Sequence, residues 1–273
     1  MLHLLVIFLL VQEPDLPRFA QDWDVEPMPE RSLYRSHLAD PRQSKSGSKV
    51  QFPIRGKDNI KIENTLGGSR ALALWTNPRD PDEEMELFLE GAVFSRFDIQ
   101  EGWDLDAADY KFGFPFLFRR KEVTLKFTIQ HVTSHLGDEF ISREGRKRDS
   151  YHLEELTTGI SWPIDNHWRV YGELGIGLYT GPSTSSGRAQ FGTEWVGSPW
   201  LRTAAPFAAI DLQTRNEIGW SWNGVAMVGL MILPKSGGHG FRATLEYYRG
   251  HDQQTQFLSE LEHFWAVGIA ADF

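Results

Sequence analysis

From residue 59 to the end, the chain alternates apolar and polar positions with a period of two, the signature of strands with two different faces. Over 167–179 the even positions are Trp168, Val170, Gly172, Leu174, Ile176 and Leu178, and the odd ones include Arg169, Tyr171 and Glu173. Over 218–232 the even set is Trp220, Trp222, Gly224, Ala226, Val228, Leu230 and Ile232. Tyr110, Phe112, Phe114, Phe116 and Phe118 share a face with Asp109 and Lys111 opposite; Val123, Leu125, Phe127 and Ile129 do the same against Thr124, Lys126 and Thr128. The pattern predicts twelve strands, at about 59–66, 69–77, 85–98, 105–118, 121–133, 151–162, 167–179, 188–197, 204–214, 218–232, 238–249 and 262–273. Many are longer than the usual ~5–6 residues, and such lengths suit a tilted strand crossing a bilayer, which needs ~9–11.

The faces opposite the apolar ones carry Glu86, Glu90, Arg96, Lys126, Glu155, Arg169, Glu173, Arg188, Glu194, Asp211, Arg215, Arg242 and Glu246, with Phe88, Phe94 and Phe207 among them. Balanced charges mixed with aromatics fit a narrow, cross-braced lumen better than an open surface. A membrane barrel requires this alternation, closed so that no edge is left unpaired. The fold class expected is therefore all-β, a membrane-spanning antiparallel up-and-down barrel of about 12 strands (10–12). Trp162, Trp168, Tyr179, Trp195, Trp220, Tyr247 and Trp265 lie near strand ends, as interfacial girdles do. Trp265, Val267, Ile269, Ala271 and Phe273 share the last face, and a terminal aromatic on such a strand resembles the C-terminal assembly signal of bacterial outer-membrane barrels. That implies the barrel-assembly machinery as a partner.

Residues 2–11 form an apolar run too short for a transmembrane helix and suited to a signal h-region. We expect a signal segment over 1–20, with Ala20 as the cleavage candidate, although its n-region holds His3 in place of Lys or Arg. Residues 21–58 are polar, with Pro27, Pro29, Pro41 and Pro53, and predict an extended segment ahead of a 59–273 barrel domain. The 273 residues include no cysteine, which suits export. A net charge of −9 argues against nucleic acid as a partner. Mean hydropathy is −0.38 and no long apolar run follows the first dozen residues, which excludes a helical membrane bundle. With both barrel termini periplasmic, the short turns at Pro234–Gly237, Pro163–Asn166 and Phe118–Lys121 fall inside. The longer connections at about 99–104, 134–150, 180–187 and 250–261 fall outside.

The segments GSRALALWTNPRDPDEEMELFLEGAVFSRFD (from Gly68), HVTSHLGDEF (131–140), LEELTTGISW (153–162), WRVYGELGIGLY (168–179), APFAAIDLQTRNE (205–217) and YYRGHDQQTQF (from Tyr247) resemble the bacterial proteins catalogued as domain of unknown function 1207. The likeness runs over about residues 35–273. It implies an outer-membrane barrel of Gram-negative-type bacteria, and neither an activity nor catalytic residues.

One constellation carries candidate chemistry. His131, Thr133, Ser134, His135, Asp138 and Glu139 fall within nine residues at the outer end of a strand. The strand phase turns His131 and Thr133 toward lipid, where a polar group without a partner is expensive. Three readings stay open. A histidine two residues from a hydroxyl lies on its face and can activate it for acyl attack. The outer-membrane phospholipase and lipid A deacylase barrels resemble this in their outward His-x-Ser, but here the hydroxyl is Thr133, and Ser134 faces the other way. Alternatively, His131 or His135 with Asp138, Glu139 and Glu154 or Glu155 could hold a divalent cation. The leading reading is structural: the acids pair with Arg143, Arg146, Lys147 and Arg148 of the same loop, a cluster that could equally hold lipopolysaccharide phosphates. No phosphate loop, G-x-S-x-G or HExxH motif occurs. The expected function is thus a structural barrel or narrow solute channel in the outer membrane, in contact with its lipid and lipopolysaccharide. No cofactor is expected, and the enzyme alternative is a surface lipid hydrolase.

Overall fold

The computed structural model describes residues 22–33, 35–54, 59–148, 150–181, 187–200, 203–232 and 240–272. They form a closed antiparallel barrel of twelve strands plus one short extra strand. In chain order these are β1 (Asp24–Pro27), β2 (Ser46–Pro53), β3 (Lys61–Thr76), β4 (Glu83–Asp98), β5 (Asp104–Arg120), β6 (Val123–Leu136), β7 (Tyr151–Pro163), β8 (Trp168–Thr180), β9 (Arg188–Val196), β10 (Ala204–Arg215), β11 (Trp222–Ile232), β12 (Gly240–His251) and β13 (Leu261–Asp272). An α-helix, α1 (Asp138–Glu144), follows β6. Each strand from β3 to β13 pairs with its sequence neighbour, and β2 closes the wall between β13 and β3. The expected signal segment, Phe273 and the turn around Pro234–Gly237 lie outside the described residues.

Two corrections concern the start of the wall. The strands expected at 59–66 and 69–77 are one continuous strand, β3, and the twelfth member of the wall is β2, inside the stretch read as extended. Gly67-Gly68 reads as a turn, yet its glycines serve close approach. A Cβ on Gly67 would meet the Gly91 carbonyl oxygen at 2.3 Å, so the glycine lets β3 lie against β4. A bulge at Leu72 then shifts the register by one residue.

The alternation sorts the faces cleanly. Ile129, Ile176, Leu178, Val228, Val267 and Ile269 are exposed on the outer face, while Glu86, Asp109, Asp211 and Glu194 are almost fully buried inside. At the end where β1 begins and β13 ends, the β5–β6 and β7–β8 turns are short. Lys121 closes the β5–β6 hairpin in the left-handed region (φ 53). In the β7–β8 turn, Asp165 accepts the backbone N–H groups of His167 and Trp168, both at 2.7 Å, which holds its carboxyl below the usual range. At the other end, α1 and the 252–260 loop fold over the mouth, and Phe257 packs on Ala107, Leu136 and Phe140.

The route of residues 28–45 decides what the lumen is. β1 pairs with the lower part of β3, Pro27 opposite Ala73. At Met28 the backbone turns through a positive φ of 50° and leaves the wall. It rejoins at Ser46, whose hydroxyl donates to the Gly67 carbonyl at 2.8 Å. Between these points the chain crosses the interior of the barrel. His37, Leu38, Ala39, Gln43 and Ser44 of this strap are all buried. Leu38 and Ala39 dock on Phe207, Ala209, Val225, Met227 and Phe264 of β10–β13, and burying a Leu side chain contributes about 1.5–3 kcal/mol.

Val228 is half exposed midway along β11, where the outer face meets acyl chains. Val228→Arg is expected to destabilise the barrel by about 2–4 kcal/mol in urea titrations in lipid vesicles. A change within ~0.5 kcal/mol, as for a water-facing position, would remove the outer face from the membrane.

Candidate functional site

The lumen is a lattice of wall charges gripping the strap. A segment without secondary structure must find partners for its backbone groups, and here the wall supplies them. Glu86 accepts the N–H of Leu33 at 2.5 Å and Glu194 that of Leu38 at 2.6 Å. Arg169 donates to the carbonyls of Arg35 and Ser36 at 2.7 and 2.6 Å. Arg242 donates to Leu38 at 3.0 Å and Lys111 to Arg42 at 2.9 Å. Side chains add to this: His37 stacks on Tyr171 at 3.6 Å, Gln213 donates to Asp40 at 3.0 Å, and the Arg42 guanidinium lies 4.0 Å from the Phe94 ring centre.

Asp109 is the hub near the loop end. Its fully buried carboxylate accepts Arg42 at 2.7 Å, the Thr255 N–H at 2.9 Å and hydroxyl at 2.7 Å, and the Ser134 hydroxyl. One side chain thereby ties the strap, β6 and the capping loop together. Nearby, Arg96 of β4 ties the capping loop to β13, bridging Asp252 at 2.5 Å and Glu262 at 3.0 Å.

Two cavities flank the strap, of about 100 and 180 Å³. Asp40, Arg42, Lys111 and Asp211 line the first, and Leu33, His37, Arg119 and Arg169 line the second. Lys126 and Glu173 line both and form an ion pair between them. Arg188 supports the pair from above, at 3.5 Å from Glu173 and 2.9 Å from Glu155. The Lys126–Glu173 pair separates the two cavities, and His37 lies 3.8 Å from Glu173.

The thirteen wall charges read from the pattern, Glu86 through Glu246, all face this lumen, with Lys126, Arg188 and Arg215 the least buried. The rim constellation divides between two faces. His131 points outward, its Nδ1 2.6 Å from Glu154 on the neighbouring strand, and Thr133 and His135 share that face. No hydrogen bond joins His131 to Thr133 among the described residues. Ser134 points into the lumen on Asp109, so it is not beside His131. Asp138 and Glu139 sit exposed in the first turn of α1, Asp138 paired with Arg148. Glu155 faces the lumen, on Arg188. Among the described residues no three His, Asp or Glu side chains converge on a point where an ion could sit. The loop's arginines hold protein acids: Arg143 reaches Asp104 at 2.6 Å and Arg146 reaches Glu260 at 2.5 Å.

The family model described as "Protein of unknown function (DUF1207)" matches residues 22–273. The chain belongs to that family. Among curated proteins none matches this DUF1207 chain. Among solved structures, outer membrane phospholipase A from Escherichia coli is 13% identical with a TM-score of 0.53, covering 89% of this chain and 95% of that one. The Salmonella typhi outer membrane phospholipase dimer with bound calcium is 14% identical with a TM-score of 0.51, covering 85% and 93%. A KdgM porin in complex with disordered oligogalacturonate is 6% identical, with a TM-score of 0.45 over 84% and 99%. At these identities the phospholipases share the outer-membrane barrel fold with the DUF1207 chain and nothing finer.

Removing the hub should cost far more than removing the rim histidine. Asp109→Ala leaves the partly buried Arg42, the Thr255 N–H and two hydroxyls without their acceptor, and a loss of about 3–5 kcal/mol is expected. His131→Ala, half exposed beside Glu154, should change stability by no more than about 1 kcal/mol. Urea unfolding of both variants, refolded in the same vesicles, checks the contrast. Equal effects would remove Asp109 from its central place.

Proposed function

We propose that the protein is an outer-membrane barrel that works as a narrow solute channel, held shut by its own N-terminal strap. The observation that supports this is the strap's position across a lumen with a cavity on each side. The lining mixes both signs of charge, Lys111, Lys126 and Arg188 with Asp40, Glu173 and Asp211, so the channel would favour small polar or zwitterionic solutes over one sign of ion.

Planar-bilayer conductance tests the reading. The intact chain is expected to be closed, with brief openings at most. A chain beginning at Ser46, which lacks β1 and the strap, should give steady current, and Arg169→Ala with Arg242→Ala should raise the fraction of time open. A strapless barrel that folds and inserts but carries no current would leave a purely structural role. Steady current from the intact chain would show that the strap closes nothing.

A second reading rests on the His131–Glu154 pair facing the lipid with Thr133 beside it. An oriented imidazole next to a hydroxyl is the arrangement of a lipid hydrolase, and the present distances lack the step from His131 to Thr133. Lipid mass spectrometry of vesicles holding the intact protein or His131→Ala decides it: deacylated lipid with the former alone would establish the hydrolase.

A further inference from the structure

The outer face of β10–β13 near the loop end carries a groove that the lumen account does not use. Its volume is about 840 Å³, within the ~300–1,000 Å³ common for small-molecule sites. The register explains it. Gly224 lies opposite Leu212 on one side and Arg249 on the other, and Ala226 lies opposite Ile210 and Tyr247. Two small outward residues on β11 thus make a floor between the apolar wall of β10 and a taller wall on β12 and β13. A Cβ on Gly224 would only touch Leu212, at 3.4 Å, so the space above it is open. Trp222 closes the loop end of the floor.

The taller wall ends in a cation. Arg249 is exposed, and among the described residues no hydrogen bond or ion pair engages it. Arg120, Arg143, Arg146 and Arg148, by contrast, each have a carboxylate partner. The nearby groups are occupied. Glu262 is drawn to Arg96 at 3.0 Å, His251 bonds the Leu258 carbonyl at 2.7 Å, and His263 bonds the Tyr247 hydroxyl at 2.8 Å. An arginine on a membrane-facing surface is costly without an anion, and its planar fork suits a phosphate.

We propose that this groove binds one glycerophospholipid with an anionic phosphodiester headgroup. The phosphate sits on Arg249 beside Tyr247 and His263, and an acyl chain lies along Gly224 and Ala226 between Ile210, Leu212 and Tyr247. The single unengaged cation selects a lipid with one phosphate. Lipid A, with more than one, would need a second cation that the groove lining does not contain. Bound there, the lipid would hold β10 to β13, the strands on which Leu38 and Ala39 dock.

The test is native mass spectrometry of the refolded barrel titrated with phosphatidylglycerol, diacylglycerol or purified lipopolysaccharide. One phosphatidylglycerol per barrel is expected to be retained, and diacylglycerol of the same chains should bind at least tenfold more weakly. Arg249→Gln strands no buried group, so the barrel should fold, and its phosphatidylglycerol affinity should fall about tenfold, a change of ~1.4 kcal/mol. Ala226→Phe, which fills the floor and leaves the cation, should weaken binding as well. The proposal is overturned if both variants bind as the parent does, if diacylglycerol binds as tightly as phosphatidylglycerol, or if lipopolysaccharide alone is retained.

Discussion

A twelve-stranded wall encloses more space than its own side chains can fill. Everything else in this molecule depends on how that space is occupied. The solution is a strap of irregular chain whose backbone groups are met, one by one, by charged side chains of the wall. Arg169, Arg242 and Lys111 donate to strap carbonyls, and Glu86 and Glu194 accept strap N–H groups. The charges therefore need the strap as much as the strap needs them. A buried ion without a partner is strongly destabilising, so removing the strap requires water to take its place.

The same arrangement explains the odd start of the wall. Because the strap leaves at Met28 and returns at Ser46, β1 and β2 occupy the same side of β3 as two separate pieces. The gap between them is the doorway through which the chain enters the lumen. The Lys126–Glu173 pair and His37 then sit where the strap, the wall and both cavities meet. At the loop end, Asp109 and Arg96 tie the capping loop to the same lattice.

Much of the barrel was legible in the sequence because period-two alternation reports directly on a wall with lipid outside and charge inside. Strands such as β8 and β11, with Leu174–Leu178 and Val228–Ile232 outward, carry the pattern without interruption. The start was not legible. Gly67-Gly68 resembles a turn because a lone sequence does not show the neighbouring strand that a glycine is making room for. Ser46–Pro53 holds too few large apolar residues to look like a strand. The strap left no signal at all, since its partners lie far away along the chain, as Leu38 and Glu194 do. The inward charges could be named from their phase, but the backbone they hold could not. At the rim, phase alone placed His131 outward and Ser134 on the opposite face, whereas the pairing of His131 with Glu154 came from the β6–β7 register.

The position of the strap can be measured directly, because the chain has no native cysteine and any introduced thiol is the sole reporter. Ser44 is 1% exposed deep in the strap, and Glu30 near its start is exposed. In the folded barrel, Ser44→Cys should resist a water-soluble maleimide until the protein is unfolded, while Glu30→Cys reacts at once. Reaction of Ser44→Cys at the Glu30→Cys rate in the folded protein would place residues 28–45 outside the lumen and contradict the account.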